Sequence, residues 1–239
     1  MAGMSVDDIL AGFAARTDPK ALEGMARYGI TTTAAFGVKV PKLRALAKRI
    51  VAESGRTNPE RHRIAADLWA TGVHEARPVA GMVDLPALVT PDQMDRWAAD
   101  LDSWDVRDQL CMNLFAETAF AWGKAIEWSG REEEFVKRAG FALIATLAHR
   151  AKKSPDEAFL PLLAAIEREA GDERNYVKKA VNWALRDIGK RNVALNAEAV
   201  ATARRIAASG TRAGRWIASD ALRELEGEKV RKKLGVAAP

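Results

Sequence analysis

The chain has 239 residues, 48% of them hydrophobic and 29% charged, which is enough apolar matter for a sizeable core and too even a charge spread for long disorder. Its formal net charge of +5 permits an anionic partner without demanding one. A lone cysteine, Cys111, excludes an intrachain disulfide framework, and with only His62, His74 and His149 beside it no zinc-ligand spacing exists, so no metal or other cofactor is expected.

Met1 to Gly12 carries Asp7 and Asp8 and no basic run, which argues against a signal peptide. No apolar run approaches the roughly 18 residues of a membrane span. A cytoplasmic chain without a membrane partner is the expectation. Ser5 caps a first short helix with Ile9, Leu10 and Phe13 inside. Asp18-Pro19 opens a second, striped by Leu22, Met25, Ala26 and Tyr28 and stopped by Gly29. Thr31 to Val40 reads as a loop. Pro41 starts a helix over 42–52 that keeps Leu43, Leu46, Ala47 and Ile50 inside and Lys42, Arg44, Lys48 and Arg49 elsewhere. Asn58-Pro59 opens the next helix, through Leu68 and Trp69, and Thr71-Gly72 breaks it. A helix from about His74 to Val83 follows despite Pro78, then one starting at Thr90-Pro91. Another runs from Trp104 to about Ala119, and a short one passes through Trp122, Ile126 and Trp128 to Ser129-Gly130.

The second half is more regular. Helices are predicted near 131–149, 154–168, 173–189, 194–208 and 214–226, with starts marked by Ser154-Pro155, Asp172 and Asn196. Val136-Lys-Arg-Ala139 is followed 41 positions later by Val177-Lys-Lys-Ala180. Ala218-Ser-Asp-Ala221, another 41 on, keeps the alanine. A period near 40 with two helices per unit predicts an all-α fold, an α-solenoid of HEAT- or armadillo-like repeats with a concave basic face, in a single domain over residues 1–239. First-turn residues of its inner helices, Arg138, Lys178, Lys179 and Arg215, then share one face. The plain alternative is a solvated charged rim.

One stretch stands out chemically, Leu101-Asp-Ser-Trp-Asp-Val-Arg-Asp-Gln-Leu110. Asp102 or Ser103 suits an N-cap, with Asp105 in the first turn, where the helix dipole favours a carboxylate. Trp104 and Asp108 are then i,i+4 neighbours on a face that continues through Cys111, Met112, Phe115 and Ala119. A carboxylate on a buried stripe has either a partner or a use. The plain reading pairs Asp108 with a basic residue and puts Trp104 in the core.

Taken together, Ala26-Arg27-Tyr28, Phe36-Gly-Val-Lys-Val-Pro-Lys-Leu-Arg44, Leu68-Trp69, Ser103-Trp-Asp-Val-Arg-Asp108, Val136-Lys-Arg-Ala139 and Tyr176-Val-Lys-Lys-Ala-Val-Asn-Trp-Ala-Leu-Arg186 resemble the DNA alkylation repair glycosylases built of HEAT-like repeats, the AlkD-like family. The motifs stand in the family's order over roughly residues 20–225. The resemblance implies a basic DNA-binding surface and excision of cationic N-alkylated purines, of the 3-methyladenine and 7-methylguanine type. It implies that Asp108 is the catalytic aspartate, Trp104 and Trp183 the catalytic tryptophans, and Arg138 and Tyr28 contacts to DNA. Two departures stand out: Arg107 precedes Asp108 where an uncharged residue is expected, and Asn175-Tyr176 replaces two aromatics. Read without the resemblance, Trp183 is core, Tyr28 a packing staple and Arg138 a partner of Glu134.

The chemistry suits these residue types. A purine alkylated at N3 or N7 is already a cation, so it leaves without protonation, and positive charge builds on the deoxyribose. A carboxylate and π faces near the sugar stabilise that charge, each cation–π contact by roughly 0.5–2 kcal/mol. The expected partner is double-stranded DNA with alkylated bases, bound by a monomer through Tyr28, Arg44, Arg138, Lys178, Lys179 and Arg215. The alternatives are a non-catalytic module for damaged or branched DNA, with Asp108 a structural counter-ion, and a protein-binding scaffold.

Overall fold

The computed structural model describes residues 4–55, 59–101 and 103–235, so Asn58 and Asp102, two of the anticipated helix starts, lie outside the described residues. Among those described, all regular structure is helical, in fourteen α-helices and two 3-10 turns. None of these helices is long and apolar enough to cross a membrane. The chain divides into two compact units, Met1–Ala119 and Phe120–Pro239.

The first unit holds α1 (Val6–Ala14), α2 (Pro19–Arg27), α3 (Val40–Ser54), α4 (Glu60–Ala70), α5 (Ala76–Val83), α6 (Pro91–Ala99) and α7 (Trp104–Asn113). Local chemistry sets several starts. Ser5 and Asp8 form a reciprocal capping box, and the side chains of Asp18 and Thr90 accept from Ala21 N and Gln93 N. Helix α5 is the hub, packing on α3, α4 and α7 with Ala76, Val79, Ala80 and Val83 fully buried. It begins at Ala76 rather than His74, so Pro78 falls in the first turn, where a missing N–H has no intrahelical partner to lose. At Gly81 a Cβ would come within 2.6 Å of Leu110 Cδ2, which shows how tightly α5 and α7 approach.

Helix α7 is shorter than the 104–119 expected. The Asn113 amide bonds back to the Gln109 carbonyl at 2.6 Å, Leu114 leaves the helical region (φ −130°, ψ −63°), and Phe115–Glu117 forms a 3-10 turn closed by the Thr118 hydroxyl. Its register also differs. The buried side is Val106, Arg107, Leu110, Cys111 and Leu114, so the fully buried charge is Arg107, whereas Trp104, Asp108 and Met112 are only part-buried.

The second unit holds α8 (Ala121–Ser129), α9 (Glu134–Arg150), a 3-10 turn Asp156–Phe159 leading into α10 (Leu160–Glu169), α11 (Asn175–Gly189), α12 (Val193–Ala208), α13 (Arg212–Leu225) and α14 (Glu228–Leu234), the last not anticipated. Helices α8, α10 and α12 pack in one row and α9, α11 and α13 in a second. This is the two-layer repeat that the 41-residue period predicts. The periodic alanines, Ala139, Ala180 and Ala221, are all fully buried. Gly140 lets α9 rest on α8, since a Cβ there would meet Ser129 N at 2.5 Å. Side chains tie each repeat to the next: Arg138 to the Tyr176 carbonyl, Arg174 to the Glu132 carbonyl, Asn182 to Asp220, Arg186 to Glu224 and Arg191 to the Ala148 carbonyl. All of these link positions 38 to 43 residues apart. Two expected starts shift. Asn192, not Asn196, caps α12 through Leu195 N, while Asn196 bonds the carbonyls of Gly189 and Leu225. Asp172 holds Arg174 rather than capping α11.

Candidate functional site

In the first unit the residues singled out from the sequence gather at the start of α7. The Trp104 indole N–H donates to the carbonyl of Tyr28, at the end of α2, over 3.0 Å. That bond joins positions 76 residues apart and fixes the indole edge. Tyr28 itself is 73% exposed, so its ring is not a packing staple. One turn after Trp104 on the same face stands Asp108, also part-buried. Next to it Gln109 accepts from Arg44 of α3 at 3.4 Å, which brings an exposed guanidinium beside this face.

The N-terminus of α7 is anchored by Asp105, the carboxylate expected in its first turn, through a partner 31 positions away, His74. His74 Nε2 and Asp105 Oδ2 are 2.9 Å apart, and the Ser103 hydroxyl donates to Asp105 Oδ1 at 2.5 Å. Burial on its own raises the Asp105 pKa, but the bonds from His74, Ser103 and the Val106 amide outweigh it and hold the carboxyl below its ordinary 3.8. The preceding residue, Glu75, is fully buried and accepts from the amides of Phe36, Gly37 and Val38 at 2.7–3.1 Å, so it sets the loop that leads into α3. Gly37 turns with φ +78° there, and a Cβ would strike the Asp18 carbonyl at 2.6 Å. A cleft of about 290 Å³ lies between α2, α3, α5 and α7, with His74, Asp105 and Gln109 in its lining. It is at the lower limit of ordinary ligand pockets, roughly 300–1,000 Å³. Trp69, from a motif noted in the sequence, is core: it stacks on Trp97 at 4.2 Å and donates to Asp100.

In the second unit Arg138, Lys178, Lys179 and Arg215 stand near the starts of α9, α11 and α13, but they differ in exposure. Lys179 and Arg215 are exposed and Lys178 part-buried, but Arg138 is only 6% exposed, with Nη1 donated to the Tyr176 carbonyl at 3.0 Å. Its aliphatic stem is packing material for α9 and α11, and little of the guanidinium is presented to solvent. Trp183 follows Lys179 by one turn of α11, is part-buried rather than core, and donates its indole N–H to Asp187 at 2.8 Å. The seam between α11 and α13 is ionic, with Arg186 and Lys190 on Glu224 at 2.6 and 3.0 Å. Among the described residues no group of three or more His, Cys, Asp or Glu side chains forms a metal site.

Comparison with known proteins gives the family and the fold. A family model described as "DNA alkylation repair enzyme" matches residues 9–225. One solved structure is similar over 98% of this chain and 97% of its own, with a TM-score of 0.74 and 19% identity. It comes from a study of "a new family of proteins related to the HEAT-like repeat DNA glycosylases with affinity for branched DNA structures". At that identity the likeness shows the fold. No curated protein matches the sequence.

Proposed function

Because the chain belongs to the DNA alkylation repair enzyme family, we propose that it is a monofunctional DNA glycosylase that releases cationic N-alkylated purines, of the 3-methyladenine and 7-methylguanine type, from duplex DNA. The observation that carries this reading is the start of α7. There Trp104 and Asp108, one turn apart and both part-exposed, form a carboxylate–indole face, with the indole edge tied to the Tyr28 carbonyl and Arg44 reaching the neighbouring Gln109.

Such a face suits a leaving base that is already a cation. As the glycosidic bond lengthens, the electron pair departs with the base and the deoxyribose becomes an oxocarbenium-like cation. Asp108 supplies negative potential to that cation and accepts a proton from the attacking water, and Trp104 supplies a π face. No general acid is needed for a base that leaves neutral.

A second reading comes from the solved relative, whose family has affinity for branched DNA. There the chain is a non-catalytic module that binds branched DNA, and Asp108 is a structural counter-ion. One experiment separates the two. Incubated with methylated duplex DNA, a glycosylase releases free 3-methyladenine and 7-methylguanine. A protein that releases neither, yet retains branched DNA in a mobility-shift assay, is the binding module.

A further inference from the structure

The inner helices of the second unit carry aromatics near their starts: Phe135 on α9, Tyr176 on α11 and Trp216 on α13. Phe135 and Tyr176 meet each other, with ring centroids 5.9 Å apart. Trp216 differs in being 41% exposed, the only tryptophan among the exposed large hydrophobic side chains of the described residues. It does not fill the core; the α13 residues that do are Ala213, Ile217, Ala218, Ala221 and Leu225. What covers it in part is a cation from the neighbouring repeat, the Lys178 ammonium of α11, 5.1 Å from the ring centroid.

The charged residues next to Lys178 and Trp216 in the chain are mostly of one sign. Lys179, exposed, follows Lys178 on α11; Arg212, one turn before Trp216, and Arg215, next to it, stand on α13, and Arg215 donates to the Gly210 carbonyl. The facing carboxylate is Glu173, which pairs with Arg212 at 3.1 Å and accepts from the Ala213 amide at 2.9 Å. Glu173 offsets one charge among these four cations and acts on Lys178 as well as on Arg212, so the cluster at the exposed flat ring keeps a net positive charge.

A flat apolar surface within a cluster of cations is complementary to a group that is flat, aromatic and flanked by anions. A nucleotide has that form, but a base inside a duplex has both faces covered by its neighbours, so only an unpaired base has a face to offer. We infer that Trp216, Lys178, Lys179 and Arg215 form a binding site for an unpaired DNA nucleotide, with its base stacked on the indole and the flanking phosphates on the two lysines and Arg215. The inference rests on the reading that the protein binds DNA, and on no step of the excision chemistry. It gives the second unit a preference for DNA with a single-stranded segment.

The test is fluorescence-anisotropy titration of the full chain with a short labelled deoxythymidine oligonucleotide and with a blunt duplex. Trp216→Ala is expected to weaken oligonucleotide binding by roughly 5- to 100-fold, the effect of losing one base–aromatic stack, while blunt-duplex affinity stays within about twofold. Trp216→Phe keeps a ring and retains most of the affinity. Replacing Lys178 and Lys179 together by Gln lowers the salt slope of log K for the oligonucleotide by about 1.4, two phosphate contacts at roughly 0.7 each. Unchanged thermal melting of Trp216→Ala confirms that a side chain this exposed was not holding the fold. Three results overturn the inference: equal oligonucleotide binding by wild type and Trp216→Ala, equal losses on single strand and blunt duplex, or no oligonucleotide binding by wild type. Excision by a Trp216→Ala protein that binds like wild type removes this site and leaves the glycosylase reading standing. Trp216-dependent single-strand binding without any excision does the opposite.

Discussion

Replacing Asp105 by Ala removes the anchor of α7 without touching Trp104 or Asp108. The Asp105 carboxylate holds His74 at 2.9 Å and Ser103 at 2.5 Å, with side-chain exposures of 27% for Asp105 and 10% for His74. A part-buried hydrogen bond to a charged group contributes about 1.5–3 kcal/mol, and the Ser103 bond is short and local, so the pair together is worth about 2–3 kcal/mol. For a chain of this length each kcal/mol moves Tm by about 2–4 °C, which puts the variant about 5–10 °C below wild type at neutral pH. The pH dependence follows from the depressed pKa. The contribution is fully present above the unfolded-state value near 3.8 and is lost as pH falls through the lower folded-state value, so the gap in Tm narrows only in acid. Calorimetric melts of wild type and variant between pH 7 and pH 3 measure this. A Tm within about 2 °C of wild type at pH 7, or a gap that is as wide in acid as at neutrality, refutes the assignment of Asp105 as anchor.

Asp108→Asn is expected to fold, to bind duplex DNA at least as tightly as wild type, and to excise alkylpurines more than about a hundredfold more slowly, if the carboxylate supplies on the order of 3 kcal/mol of transition-state stabilisation; single-turnover base release reads this out. Lys179→Gln and Arg215→Gln should each lower the salt slope of duplex binding by about 0.9 with Tm unchanged, whereas Arg138→Gln should show its effect in Tm, because its guanidinium is buried against the Tyr176 carbonyl. Gly140→Ala should lower Tm by several degrees, since the new methyl meets the backbone of Ser129 and Trp128, and a wild-type melt would show that α8 and α9 separate at little cost.

How much of this was legible beforehand depended on distance along the chain. The caps at Ser5, Asp18 and Thr90 act over three residues and could be read directly. The 41-residue period exposed the two rows of the second unit, because each repeat buries an alanine at the same point of its inner helix. The Trp104–Asp108 face was legible as an i,i+4 pair, but not its register: extending the stripe to Ala119 put the buried charge at Asp108, while a helix that ends at Asn113 puts it at Arg107. The roles of Glu75 and His74 leave no local signal, because their partners lie 31 to 39 positions away and nothing nearby marks a carboxylate that serves three amides of a distant loop. Trp183 reads as core from its spacing; its position one turn after Lys179 and its bond to Asp187 keep it nearer the surface.

The bonds between repeats in the second unit reach over about one repeat, from 32 positions between Lys137 and Glu169 to 43 between Arg191 and Ala148, however far apart its ends lie in the chain. Closing any of these links therefore costs the entropy of a loop of one repeat, which grows only logarithmically with length, and it does not depend on links elsewhere. Ordering in such a stack spreads from neighbour to neighbour like a zip, and it comes undone the same way. Among the described residues helix α14, only seven residues long, packs on α13 and reaches back to the Lys190 carbonyl through Lys233. Amide exchange should then be graded along this half of the chain, fastest in α14 and slowest in α11, which has a repeat on either side.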